Sequence, residues 1–422
     1  MKKQLLAVAV AAALLAPQAV GAEGFAIYEW SAEGVAMGGA RMFAENDAAN
    51  MAYDPASITK IEGEALKVSA TYLSPHGKYD LNKYDLNKNA HICGGTESGH
   101  NRVHPAWAPG TYYVKQLNEK EWIGMGAYSR FGMASQFERA SIAGTNAFSS
   151  KLNGLSVGVN YARKLDSKWA ASVGAEVNYI GLQLDKNQYL PKNGLSPLKG
   201  LSPLHIEGES YALGWNAAAN YAFDKKNEMG LVYRSKITHS MEADYDVHNA
   251  AIPLALSNGD AYGVVTLPES LSLGYNHKFD DKNRVELNAI WTRWERYDAL
   301  DISFTGGELN GQPSPNAKNW SNSKRLAVGY EHKFSDKYSG MLGYAFDKSA
   351  IPYDGGDFMI PTGNRTTYSL GTQYHDKKQT LAVALAWMNV GSLDFAGGVF
   401  INGAHTRDSY TKIASISYQR NF

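Results

Sequence analysis

Period-two alternation of large apolar with small or polar residues, connections that are alternately short and long, and aromatic residues beside the short ones predict an all-β transmembrane fold. The expected architecture is a 14-stranded antiparallel outer-membrane β-barrel with an N-terminal plug of short helices. The alternation is clearest in Leu155, Val157, Val159 and Tyr161 set against Ser156, Gly158, Asn160 and Ala162, and again in Tyr368, Leu370, Thr372 and Tyr374 set against Ser369, Gly371, Gln373 and His375. One face of each run is lipid-like or core-like, and the other is small and polar. The short connections are charged, as at 118–121, 166–168, 224–227, 280–283, 335–337 and 376–378, whereas the others run to about 14 to 35 residues. Trp122, Trp169, Phe223, Phe279, Phe334, Tyr338 and Tyr374 flank the short turns, as an interfacial aromatic girdle requires. A soluble solenoid or sandwich has no need of aromatics in register at one end.

Taken in order, residues 1–22 read as a secretory signal: Lys2 and Lys3, an apolar core from Leu5 to Leu15, and the small-residue cleavage site Val20-Gly21-Ala22. Residues 23–61 are too rich in Gly and Ala for a strand and too few to hold a core alone, so they are expected to be enclosed as a hatch inside the barrel. Asp47 and Asp54 each open a short helix-compatible stretch, and Pro55 suits a first helical position. Residues 62–422 form the barrel. Its strands are expected near 66–73, 108–117, 122–138, 153–163, 169–184, 211–223, 228–243, 268–279, 284–298, 324–334, 338–348, 366–375, 379–390 and 410–422. An even number returns both ends to the periplasm, and about 10 residues tilted about 45° rise close to the apolar band of an outer membrane. The chain closes on an aromatic strand ending Tyr418 and Phe422, which resembles the signal read by the barrel-insertion machinery, although Arg420 departs from the usual apolar residue there.

Composition narrows the function classes. No stretch after the signal approaches 18 apolar residues in a row, so helical spans are excluded. Cys93 is the single cysteine, which excludes an intrachain disulfide, and 41 basic against 41 acidic residues give no pull toward nucleic acid. No cofactor and no metal is expected, and the barrel is expected to act as a monomer. Gly154-Leu155-Ser156-Val157-Gly158 matches a nucleophile-elbow pattern but lies within a period-two strand rather than a strand-to-helix turn, so no catalytic residue is assigned. His91, Cys93, His100 and His104, with His76 nearby, lie in one long loop without fixed spacing; polar loop residues are the simpler reading, a soft-metal site the other. The near-repeat 194–199 and 200–205, with 252–256, is either loop drift or an apolar surface for loading ligand.

Several motifs together carry a resemblance. These are Gly24-Phe25, Asp54-Pro55-Ala56, Tyr128-Ser129-Arg130-Phe131-Gly132-Met133-Ala134, Tyr233-Arg234-Ser235, Leu267-Pro268-Glu269-Ser270 and Trp291-Thr292-Arg293-Trp294. The chain resembles the FadL family of outer-membrane transporters for long-chain fatty acids and other hydrophobic compounds over nearly the whole length after the signal. The resemblance implies passive uptake of a hydrophobic small molecule, a plug inside the barrel, and an inward kink of the third strand that opens the wall sideways into outer-membrane lipid. The family's motif usually has Asn at the position of Asp54; a carboxylate caps equally well but donates nothing.

On this reading the kink and lateral opening fall at Phe131, Gly132 and Met133, Gly132 being a mid-strand glycine of the kind that marks a bulge. Phe25, Ile27 and Phe131 are expected to line the ligand pocket, and Asp54, Pro55 and Ala56 to make the contact between hatch and strand. The competing classes are a general porin for polar solutes and an outer-membrane adhesin. A wide aqueous pore has no use for a plug, and adhesion is not legible.

Overall fold

The computed structural model describes residues 24–83, 95–189, 201–248, 255–307, 309–314, 316–396 and 401–422. They form a closed antiparallel barrel of 14 strands. In chain order these are Glu64–Lys83, Ala106–Asn118, a third in two pieces (Glu121–Tyr128 and Gly132–Gln136), Ser149–Lys164, Trp169–Tyr189 and Leu201–Ala222. The seventh and eighth are also divided, as Asn227–Arg234 with Ile237–His248 and Ala255–Leu267 with Ser270–Lys278. Asn283–Thr292, Ser323–Lys333, Tyr338–Asp347, Arg365–His375, Gln379–Val390 and Ile401–Asn421 complete the wall. The fourteenth strand pairs with the first from Ala65↔Asn421 to Lys83↔Ile401, which closes the sheet and leaves no free edge there.

Several strands outrun the lengths that the sequence predicts. The first continues to Lys83, the fifth to Tyr189, and the fourteenth begins at Ile401 rather than near 410. Asp80 of the first strand, Glu207 of the sixth and Asp244 of the seventh lie in such upper extensions, so the lipid-type alternation ends while backbone pairing goes on. The ninth strand is shorter than expected, because Arg293 N–H donates to Glu269 O at 3.0 Å and the chain then turns inward through a 3-10 turn, Trp294–Arg296.

Residues 24–61 lie within the barrel and are nearly all buried. Ser31 caps the helix Ala32–Ala36 by accepting from Gly34 N, and that helix packs its Ala32, Val35 and Ala36 against Leu73, Met341, Ala382, Ala384 and Met388 of the wall. Buried ion pairs tie the segment to the barrel: Arg41 to Glu331 (3.2 Å) and Asp47 (3.4 Å), and Lys67 to Glu33 (2.8 Å) and Asp47 (2.7 Å). Each charge here has an opposite partner, as burial demands. Gly38 lies at φ +62° against the eleventh strand, and a Cβ on Gly343 would stand 2.2 Å from Gly38 N, so both glycines are needed for that contact.

The thirteenth strand tests the assignment of faces. Leu381, Val383 and Leu385 are exposed on the outer wall, while Ala382 and Ala384 are buried inward. Val383→Arg is expected to cost about 2 to 4 kcal/mol in a refolding titration, since it places a cation in the hydrocarbon. Ala384 touches the hatch helix cluster, so Arg there is expected to be damaging through overpacking. A milder control is His375→Arg, which faces a polar vestibule at the periplasmic end. Equal loss at Val383 and His375 would contradict the assignment.

Candidate functional site: the break in the third strand

Pairing between the second and third strands runs from Asn118↔Glu121 up to Gly110↔Tyr128 and stops. Higher up, the third strand meets the segment that leads into the second, where Arg102 N–H donates to Gln136 O (2.6 Å) and Gln136 N–H to Asn101 Oδ1 (3.0 Å). Among the described residues, Gly132–Gln136 pair only with the fourth strand. On that side the register passes from Tyr128↔Ser156 to Gly132↔Asn153, so Ser129, Arg130 and Phe131 stand against Gly154 and Leu155 alone. The breaks in the seventh and eighth strands differ: Ser235 and Lys236 lie opposite Pro268 and Glu269, and pairing resumes in register at Ile237↔Leu267. The third strand has a surplus residue and is bent out of the wall.

The hatch supplies the hydrogen bonds that the second strand does not. Trp30 Nε1–H donates to Ser129 O (2.7 Å), Ile27 N–H to Arg130 O (2.8 Å), and Gly132 N–H to Phe25 O (2.9 Å). An isolated antiparallel bridge joins Ala26 to Phe131. These bonds satisfy buried main-chain groups that a broken strand would otherwise leave without partners.

Phe25 is fully buried, with ring centroids of Trp294, Tyr297, Phe131 and Trp320 at 4.8, 5.2, 6.0 and 6.2 Å. Two narrow cavities flank this aromatic cluster. The upper, about 70 Å³, is lined by Gly24, Met133, Ala134 and the Phe358–Thr362 loop. The lower, about 40 Å³, is lined by Ala26, Ile27, Phe131 and Pro268. Phe25, Ile27, Phe131 and Met133 thus fall around one region, although Ile27 packs into the cluster of Val35 and Leu73 rather than against Phe25.

Asp54 caps the 3-10 turn Pro55–Lys60, accepting from Ala56 N–H at 3.0 Å and from Ser57 Oγ at 2.7 Å. The turn passes the lower half of the third strand, where a Cβ on Gly124 would meet Met51 and Ile58. Asp54 itself reaches the sixth strand, accepting from Asn220 Nδ2 at 2.6 Å, and the residues at the break are held by Phe25 to Trp30 instead. Burial pushes the Asp54 carboxyl up to about 6, against hydrogen bonds from Ser57, Asn220 and Ala56 that lower it. A carboxyl raised on folding stabilises most when protonated, and that contribution fades as pH climbs from about 4 through about 6. Asp54→Asn, with the Asn220 amide turned to present its oxygen, is expected to be near neutral and to flatten this pH dependence. Asp54→Ala is expected to cost about 1 to 2 kcal/mol. Thermal melts of the purified variants on either side of the transition would decide; a large loss for Asn would give the carboxylate a further role.

Sequence reasoning missed Trp320, Tyr297 and the buried pair Lys318–Asp357, whose ammonium stands 6.0 Å from the Tyr297 ring centroid. A signal was present in Trp291, Trp294 and Tyr297, spaced by three, which breaks the period of two and marks the departure from the strand. Among the other candidates, His91, Cys93 and residues 194–200 and 252–254 lie outside the described residues. His76 stacks on Tyr410 at 5.0 Å, and His205 lies in the sixth strand beside Asp185 at 2.6 Å. No metal-holding group of His, Cys, Asp and Glu occurs among the described residues.

Residues 12–401 match the family model for outer membrane protein transport proteins (OMPP1/FadL/TodX). The chain belongs to this family. The FadL family comprises transport proteins rather than enzymes, and its members lie in the Gram-negative outer membrane. The chain is 24% identical to the long-chain fatty acid transport protein of Escherichia coli K12, with 93% of this chain and 94% of the relative covered. It is 26% identical to outer membrane protein P1 of Haemophilus influenzae Rd, covering 89% and 87%. In fold it is similar to a Pseudomonas aeruginosa FadL homologue (TM-score 0.81, 18% identity, 94% and 100% covered) and to the P. putida toluene transporter TodX (TM-score 0.71, 17% identity, 94% and 99% covered).

Proposed function

We propose that the protein takes up hydrophobic molecules, long-chain fatty acids or compounds of similar character, by passive passage through the gap between the second and third strands into outer-membrane lipid. The observation that carries this reading is the end of the ladder between the second and third strands at Gly110↔Tyr128, above which contact resumes only at Arg102–Gln136, with cavities lined in part by Met133, Phe137, Ile27 and Phe131 on its inner side. Each methylene kept out of water is worth about 0.8 kcal/mol, so a sideways route spares a long alkyl chain the cost of an aqueous pore. The filled lumen disfavours a porin. Two cations at the aromatic cluster, Lys318 and Arg130, are already paired with Asp357 and Glu176, so a fatty carboxylate has to compete with those acids whereas an uncharged hydrocarbon does not.

The test uses Ala134→Cys in a Cys93→Ser background, with the label placed beside the gap. Complete maleimide labelling is expected to reduce uptake of a fluorescent fatty acid in proteoliposomes to background, with permeation of a polar solute low before and after. Undiminished uptake after full labelling would refute the lateral route.

A further inference from the structure

Arg130 turns into the lumen, buried to 4% exposure, and pairs with the equally buried Glu176 of the fifth strand, the fourth strand lying between them. Glu176 is flanked in register by Gly158 on the fourth strand and Gly214 on the sixth, and Gly158 is itself opposite Gly126 of the third. A Cβ on Gly158 would stand 3.3 Å from Glu176 Cβ, and one on Gly214 3.2 Å from Glu176 Cγ. The row Gly126, Gly158, Glu176, Gly214 thus carries one side chain of its own, the carboxylate, with Tyr112 closing over Gly126 and Ile237 over Gly214. The Arg130 guanidinium also stands 5.3 Å from the Phe131 ring centroid, and Arg130 O accepts from Ile27 N–H at 2.8 Å. One residue thus joins the hatch, the bent strand and the fifth strand.

We propose that Arg130, held by Glu176 across the fourth strand, is the positioning residue that keeps the third strand turned inward and the Phe131 ring in the lumen. The inference rests on the lateral reading for its purpose but not for its geometry. Beside the pair, the hatch main-chain bonds, the Trp30 indole on Ser129 O and the packing of the Phe131 ring against Phe25 and Trp294 draw this stretch inward, and the pair is the charged anchor among them. A buried ion pair adds little net stability, but it specifies one arrangement, because either charge left alone is strongly penalised.

The decisive variant is Arg130→Met/Glu176→Met, which removes both charges and so strands neither. Heat-modifiable migration on gels is expected to stay that of a folded barrel. Hydrogen exchange at the amides of Ile27 and Gly132, which bond across the break, is expected to quicken roughly tenfold or more relative to the parent protein. Fatty acid uptake is expected to fall to background. Glu176→Gln, which keeps an acceptor, is expected to be intermediate in both readouts. Parent-like protection at Ile27 and Gly132 in the double variant would overturn the proposal, as would full protection in Arg130→Met alone if that single variant assembles. Lost protection with undiminished uptake would uphold the positioning role while refuting the lateral route, so the two readings fail separately.

Discussion

Deleting Phe131 is expected to abolish uptake of hydrophobic substrate while leaving a folded, inserted barrel. The register makes a single deletion sufficient: Ser129, Arg130 and Phe131 oppose Gly154 and Leu155, so removing one residue equalises the two strands between Tyr128↔Ser156 and Gly132↔Asn153. The shortened strand can then pair Ser129 with Leu155 and Arg130 with Gly154, and continue up the free side of the second strand. Each ladder bond gained is worth about 0.5 to 1.5 kcal/mol net, which favours the straight form once the surplus residue is gone. Deletion elsewhere in the same strand, such as Met125, leaves the surplus in place but shifts the alternation of faces below it, and should damage assembly instead. The measurement is initial uptake of a labelled fatty acid normalised to inserted barrel, alongside amide exchange at Gly132. Retained uptake by a well-inserted deletion variant would mean that ligand leaves by another path.

How far this site could be read from residues alone depends on which interactions fix it. The wall was legible because lipid on one side and a packed lumen on the other impose a period of two, as Leu381, Val383 and Leu385 against Ala382 and Ala384 illustrate. The upper strand extensions were not, because the outward face turns polar above the lipid, as at Lys78, Asp80 and Asn82, and the inward pair Tyr79 and Leu81 is too short a run to mark a strand by itself. The break in the third strand was foreshadowed by Gly132, but its placement rests on Arg130, Phe25 and Trp30, which are distant in sequence from their partners. Ion pairs such as Arg130–Glu176 carry no local pattern: each half reads as an ordinary charge, and only the fold brings them together. The partner of Asp54 was hidden for the same reason, since Asn220 is merely one small polar residue in an alternating strand.

Gly154 shows the converse, a residue whose role lay in plain view without a reason attached. It belongs to the Gly154-Leu155-Ser156-Val157-Gly158 stretch, and it sits in the fourth strand opposite Ile180, facing the surplus residue of the third. A Cβ there would stand 2.4 Å from Phe131 O and 3.2 Å from Phe131 C, main-chain atoms that cannot turn aside as a side chain can. The bent strand is thus able to close against the fourth only because position 154 carries no side chain. Gly154→Ala is expected to weaken uptake partly, since the Phe131 carbonyl has to retreat by several tenths of an ångström against its bridge to Ala26. Gly154→Val adds two methyl groups at the same point and is expected to displace Phe131 from the aromatic cluster, with uptake at background and a stability loss of about 1 to 3 kcal/mol from overpacking. In a strand free of the break, Gly to Val is favoured by β-propensity, so Gly263→Val in the eighth strand, whose Cβ would have no atom nearer than 3.3 Å, is the matched control. Uptake by Gly154→Val equal to the parent, at equal insertion, would show that the fourth strand does not hold the bend and that its geometry is set from the hatch side alone.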